Sequence, residues 1–95
     1  MRKFGKDKPE LMAFTLGDSE KVYTIPLAAS MPATLILEMQ ESYKGGNEAA
    51  FKFQLELLRK YIGDEAVDQL TAQDVRDIID AWADESSKQG ATPGE

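Results

Sequence analysis

Apolar residues recur at helical spacing along most of this chain and alternate only near its start. From Leu11 to Leu16 the apolar positions Met12, Phe14 and Leu16 fall on one side of an extended segment. Gly17-Asp18-Ser19-Glu20-Lys21 then supplies turn chemistry, and Val22 to Ile25 is β-branched and aromatic until Pro26 stops it. The pattern predicts a β-hairpin over 11–26. Two strands alone are marginal in water, so this hairpin must lean on a helix or gain strands from another subunit.

Helices are predicted after it at about 32–43, 48–62, 64–69 and 72–86. Pro32 suits a first helical turn, where its absent N–H has no intrahelical acceptor to miss. Leu35, Ile36 and Met39 would point inward, with Leu37 off that face. Lys44-Gly45-Gly46 breaks the helix, Asn47 is placed to cap the next one, and Gly63 offers a left-handed stop. Thr71 stands as the N-cap of the last helix, and Asp74 replaces the Glu or Gln of a capping box. Val75, Ile78, Ile79 and Trp82 then make one stripe, while Asp74, Arg76, Asp77, Asp80, Asp84 and Glu85 occupy the other side. Residues 1–10, with Gly5, Pro9 and four cations, read as a flexible basic N-terminal tail. Residues 87–95 read as a flexible C-terminal tail. The fold class is thus mainly α with a small N-terminal β-hairpin (α+β). A single domain over 11–85 packs the hairpin on a bundle of three to four helices.

The second helix has an unusual distribution of apolar residues. At about 100° per residue, Phe51, Leu55, Leu58 and Ile62 form one stripe. Ala50, Phe53, Leu57 and Tyr61 form another, nearly opposite, and Lys52, Glu56, Arg59 and Lys60 share one strip between them. Such a helix must be covered on both sides. Either it is a central helix sandwiched by the hairpin and the other helices, or the Phe53/Leu57/Tyr61 stripe is left for a neighbouring subunit or a partner helix. On the second reading Phe53, Leu57 and Tyr61 are the association surface, with Leu37 and Tyr43 as lesser candidates. Leu57→Asp would then abolish association while leaving the helical circular-dichroism signal largely intact.

Composition narrows the chemistry. Ninety-five residues suffice for one core and are ordinary in hydrophobic (42%) and charged (29%) content, which argues against wholesale disorder. The chain has neither cysteine nor histidine. It therefore lacks thiolate nucleophiles, disulfides, the commonest general base and the commonest transition-metal ligands. The groups Asp64/Glu65/Asp68 and Asp77/Asp80/Asp84 sit on the wet sides of amphipathic helices, where acid–base catalysis is poorly served. Neither has the ligand spacing and internal glycine of a calcium loop, and Lys44-Gly45-Gly46-Asn47 lacks the spacing of a phosphate loop. No catalytic, metal or cofactor site is expected, and no enzyme. Met31, beside Pro32, is the methionine placed for exposure, the others being core filler.

Net charge is −6 and unevenly placed. Residues 61–95 hold nine acids against Arg76 and Lys88, a balance of −7, which opposes nucleic-acid binding. No apolar run is long enough to cross a bilayer, and no signal-peptide core is present, so a soluble cytosolic protein without a membrane partner is expected.

The hairpin with Tyr23-Thr24-Ile25-Pro26, a helix opening with Met31-Pro32-Ala33, a middle helix with Phe51 and Leu55, then Leu70-Thr71 and a closing helix with Ile78-Ile79-Asp80-Ala81-Trp82 together form a pattern. It resembles the tail assembly chaperones of long-tailed (siphovirus-type) bacteriophages. The likeness covers about residues 11–85 and lies in element order and apolar positions. It implies a non-enzymatic, oligomeric protein acting in the cytoplasm of the infected bacterium and absent from the mature virion. It also implies that apolar helix faces bind and solubilise the tape measure protein and assist tail tube assembly. The resemblance brings no catalytic residue with it. Two other readings suit the composition. One is an acidic inhibitor that mimics DNA with Asp74, Asp77, Asp80, Asp84 and Glu85. The other is a small structural virion protein of the tail or head–tail junction, against which the small strand content weighs.

Overall fold

Strands β1 (Leu11–Phe14) and β2 (Tyr23–Pro26) pair antiparallel, with Met12 opposite Ile25 and Phe14 opposite Tyr23. Because side chains alternate between faces, these four residues share one side of the ribbon. Met12 and Ile25 are buried there, and the Phe14 and Tyr23 rings stack at 6.0 Å. The computed structural model describes residues 10–90, with side chains as far as Lys88. Residues 1–9 and 91–95, where most of the two expected tails fall, lie outside the described residues.

A short 3-10 turn (Ala28–Ser30) leads from β2 into α1 (Ala33–Lys44), which Pro32 begins from the cap position: its carbonyl accepts from the N–H groups of Leu35 and Ile36. Helices α2 (Asn47–Ile62), α3 (Asp64–Asp68) and α4 (Ala72–Gly90) complete the chain. The mainly helical α+β architecture expected from periodicity is the one observed.

Glycine brackets α2 at both ends. Gly46 (φ 97°, ψ −180°) precedes it and Gly63 (φ 93°, ψ 158°) follows it, and both occupy a backbone region essentially restricted to glycine. Two expectations are corrected here. Gly46, not Asn47, holds the N-cap position, since the reversal from α1 needs a positive φ that a side chain disfavours; Asn47 becomes the first helical residue and makes no capping bond. Gly63 is not a left-handed cap. Its extended ψ lets it end α2, donating to the Arg59 carbonyl, and begin α3, accepting from Val67.

The apolar interior forms around α2, which packs on α1, α3, α4 and β2. Leu57 and Leu58 are buried on it together with Ile25, Leu27, Met39, Val67, Val75, Ile79 and Trp82. Met31 is buried as well, contrary to the exposure expected of it, because the turn at Ala28–Ser30 folds it under.

Helix α4 begins with the reciprocal cap its sequence announces: the Asp74 N–H donates to Thr71 Oγ1 at 3.0 Å, and the Thr71 N–H donates to Asp74 Oδ2 at 2.9 Å. Its second half is fastened to the end of β2 and the turn that follows. The Trp82 indole donates to the Pro26 carbonyl at 2.8 Å, and Ser86 Oγ accepts from the Ala28 N–H at 3.0 Å. This anchoring corrects the expected tail boundary, since 87–90 are helical rather than loose. Glu10 likewise belongs to the fold: its N–H donates to Ser30 Oγ and its carbonyl accepts from Leu27.

The Trp82–Pro26 bond joins residues far apart in sequence, so its loss should be felt globally. Trp82→Phe removes the donor and leaves a carbonyl beside apolar groups; it should lower unfolding free energy in urea by about 1–3 kcal/mol. A loss below about 0.5 kcal/mol would show that the bond does not anchor α4.

Candidate interaction surface

A helix with two apolar stripes leaves a binding face only where its own chain fails to cover it. Leu57 is 2% exposed and Leu58 fully buried, so each stripe of α2 contributes a residue to the protein's own interior. Leu57 is therefore corrected from association residue to core residue. Phe53 and Tyr61 are half-buried and pack against the same core, as do Phe51, Leu55 and Ile62 on the other stripe. The hairpin and the neighbouring helices cover α2, which is the sandwiched arrangement.

The two lesser candidates are the more open ones. Leu37 is 55% exposed and Tyr43 48% exposed on α1, whose other side supplies buried Met39 and half-buried Leu35 and Ile36. Six residues separate them, about 9 Å along the axis and about 120° around it, so they do not make one stripe. Leu11 and Val22 on the hairpin are the other exposed large apolar residues among those described. Apolar residues scattered singly are ordinary on a protein surface.

Charge is arranged more distinctly. Arg59 on α2 donates to Asp64 at 3.2 Å and to Asp68 at 3.0 Å, clamping α3 against the end of α2. The hydrogen bonds to Asp64 and then Asp68 push the Arg59 pKa further above its ordinary value. Lys44 pairs with Glu41, and Lys88 with Asp84. Asp18, Asp77, Asp80 and Glu85 have no ion-pair partner among the described residues. Asp64, Glu65, Asp68, Asp77, Asp80 and Asp84 are all exposed. No group of three or more Asp, Glu, His or Cys among the described residues is placed to hold a metal ion.

One feature of shape was not expected from the sequence. An open groove runs between β1 and α4, with Met12, Ala13, Phe14 and Thr15 on one wall and Ile78 and Ala81 on the other. The periodicity assigns Ile78 to the core stripe of α4, but it is only half-buried and lines this groove. No periodicity marks such a place, which depends on how far α4 stands from the hairpin.

The chain matches no protein-family model, no curated protein and no solved structure. No described helix is long and apolar enough to cross a membrane.

Burial separates core from surface in a form that mutation can read. Leu57→Asp places a carboxylate in the interior and should remove about 4 kcal/mol or more, enough to unfold most of a domain of this size. Leu37→Asp should shift stability by no more than about 0.5 kcal/mol. Circular dichroism with urea titration compares them, and a Leu57→Asp protein as stable as Leu37→Asp would return Leu57 to the surface.

Proposed function

We propose that this protein is a non-enzymatic assembly chaperone of the phage-tail type, which binds and solubilises the tape measure protein and assists tail tube assembly. The observation that carries the proposal is α1. On a subunit whose central helix is already covered, Leu37 and Tyr43 remain about half exposed, two separate apolar contacts for a client. The negative surface supports the same reading, because a holding protein must keep an apolar client soluble and a net charge of −6 favours that.

The element order on which the resemblance rests is also the order of the fold. On this reading the protein works as an oligomer in the cytoplasm of the infected bacterium and leaves before the virion is complete. Self-association would turn weak contacts into useful affinity, since a client held at one point meets the next subunit at high effective concentration.

Co-expression with a candidate tape measure protein, scored by the client's soluble fraction, tests this. The intact protein should raise that fraction several-fold. The double variant Leu37→Asp/Tyr43→Asp, itself folded, should return it close to the level without chaperone. Undiminished solubilisation by the double variant would remove α1 as the client surface. Failure of the intact protein to solubilise any such client would overturn the reading altogether.

A further inference from the structure

The groove beside β1 has the properties of a strand-addition site. The Leu27 N–H donates to the Glu10 carbonyl at 2.8 Å, so these two backbone groups face each other just beyond the ladder, while the Glu10 N–H turns to Ser30 Oγ instead of completing the pair. Bonded and non-bonded pairs alternate along an antiparallel ribbon. Met12/Ile25 and Phe14/Tyr23 are therefore bonded, while Leu11/Pro26 and Ala13/Thr24 turn their peptide groups outward.

The two outward edges differ. On β2, Pro26 has no N–H to offer and its carbonyl is taken by Trp82. On β1, no strand lies alongside among the described residues, and none of those residues hydrogen-bonds to the outward groups of Leu11 or Ala13. Such an edge is a template for another strand unless something blocks it.

The groove borders the Ala13 part of that edge. Successive strand residues point to opposite faces, so three in a row, with Thr15 just after them, line one cavity where it borders the strand. Met12, Ala13, Phe14 and Thr15 do so, around a volume of about 360 Å³. Thr15, Asp77 and Ile78 also line a second volume of about 550 Å³ that reaches the hairpin turn, so the two are adjacent. The four residues of β1, about 13 Å at strand spacing, match a short extended peptide.

Side chains state the chemistry of the occupant. Met12, Phe14 and Ile78 form an apolar floor. Asp18, Asp74, Asp77 and Glu85 stand around it, and no Lys or Arg lines either volume. Asp74 uses one oxygen to cap α4 and Asp77 accepts from the Gln73 amide at 2.9 Å, but Asp18, Asp77 and Glu85 make no ion pair among the described residues. We infer that β1 takes, by strand addition, an extended segment of another polypeptide that alternates apolar residues with Lys or Arg. Backbone pairing supplies affinity, alternate side chains fill the floor, and the acidic rim selects sign. The inference stands whether or not the protein meets a tape measure client, since that reading rests on α1.

The probe is a fluorescein-labelled eight-residue peptide of alternating Val and Lys, followed by anisotropy with the full-length protein. Saturable binding is expected. The alternating Val/Glu peptide, and the Val/Lys peptide N-methylated along its backbone, should each bind at least tenfold more weakly. Ala13→Pro, which deletes an outward donor at a position where the ladder needs none, should weaken binding at least tenfold. Asp77→Lys/Glu85→Lys, on exposed side chains, should weaken it at least fivefold. Absence of saturation, or retention of binding within twofold by the N-methylated peptide or by the charge-reversed protein, overturns the proposal. So does a dimer in sedimentation that Ala13→Pro dissociates, because a second copy is then the occupant. If Ala13→Pro fails to fold, the N-methylated peptide alone decides.

Discussion

A helix that is apolar on two opposite sides cannot sit at the edge of a small protein, and α2 is such a helix. Its stripes demand cover from two directions, and a chain of 95 residues has few elements with which to supply it. The solution places α2 among β2, α1, α3 and α4. Glycines at both ends make this possible, because Gly46 and Gly63 adopt backbone angles that let the chain leave α2 sharply and pack back on it. Leu57 from one stripe and Leu58 from the other meet the same core. The remaining elements are placed by the need to close over those two residues.

Closure requires a hairpin that would be marginal alone and a final helix long enough to reach it. The hairpin presents Met12 and Ile25 to the core, and α4 presents Val75, Ile79 and Trp82. The bonds from Trp82 to Pro26 and from Ala28 to Ser86 fasten the two together at one end. Towards the hairpin turn they are less closely joined, and the groove opens there. One arrangement thus yields both a covered central helix and an uncovered strand edge.

Much of this was legible in the sequence because the signals are local. Thr71 and Asp74 announce the start of α4 by a cap that the structure forms in both directions. Alternation around Met12 and Phe14, with Pro26 as terminator, gives the hairpin. The ends of α2 were legible only in part: glycine marks them, but whether Gly46 or Asn47 caps depends on the angle at which α1 arrives. Less visible still was which apolar stripe would be exposed. Periodicity shows that Leu57 has a face and not what lies against it, so a core position and an interface position look alike. Residues 87–90 looked like tail by composition, yet Ser86 finds a partner 58 residues earlier and the helix runs on. The groove escaped for the same reason, being a distance between elements.

What the subunit has left to offer a partner follows from what α2 has used. Leu37 and Tyr43 on α1, the open side of β1 and the exposed carboxylates of α4, of which Asp80 and Glu85 have no ion-pair partner among the described residues, lie outside the covered core. The central physical claim is that this core is complete within one chain. Native-state hydrogen exchange of α2, followed across a hundredfold range of protein concentration, tests it most directly. Amides from Leu55 to Tyr61 should exchange only through global unfolding, at rates independent of concentration. Protection that grows with concentration would mean that another polypeptide covers α2, and would contradict the account.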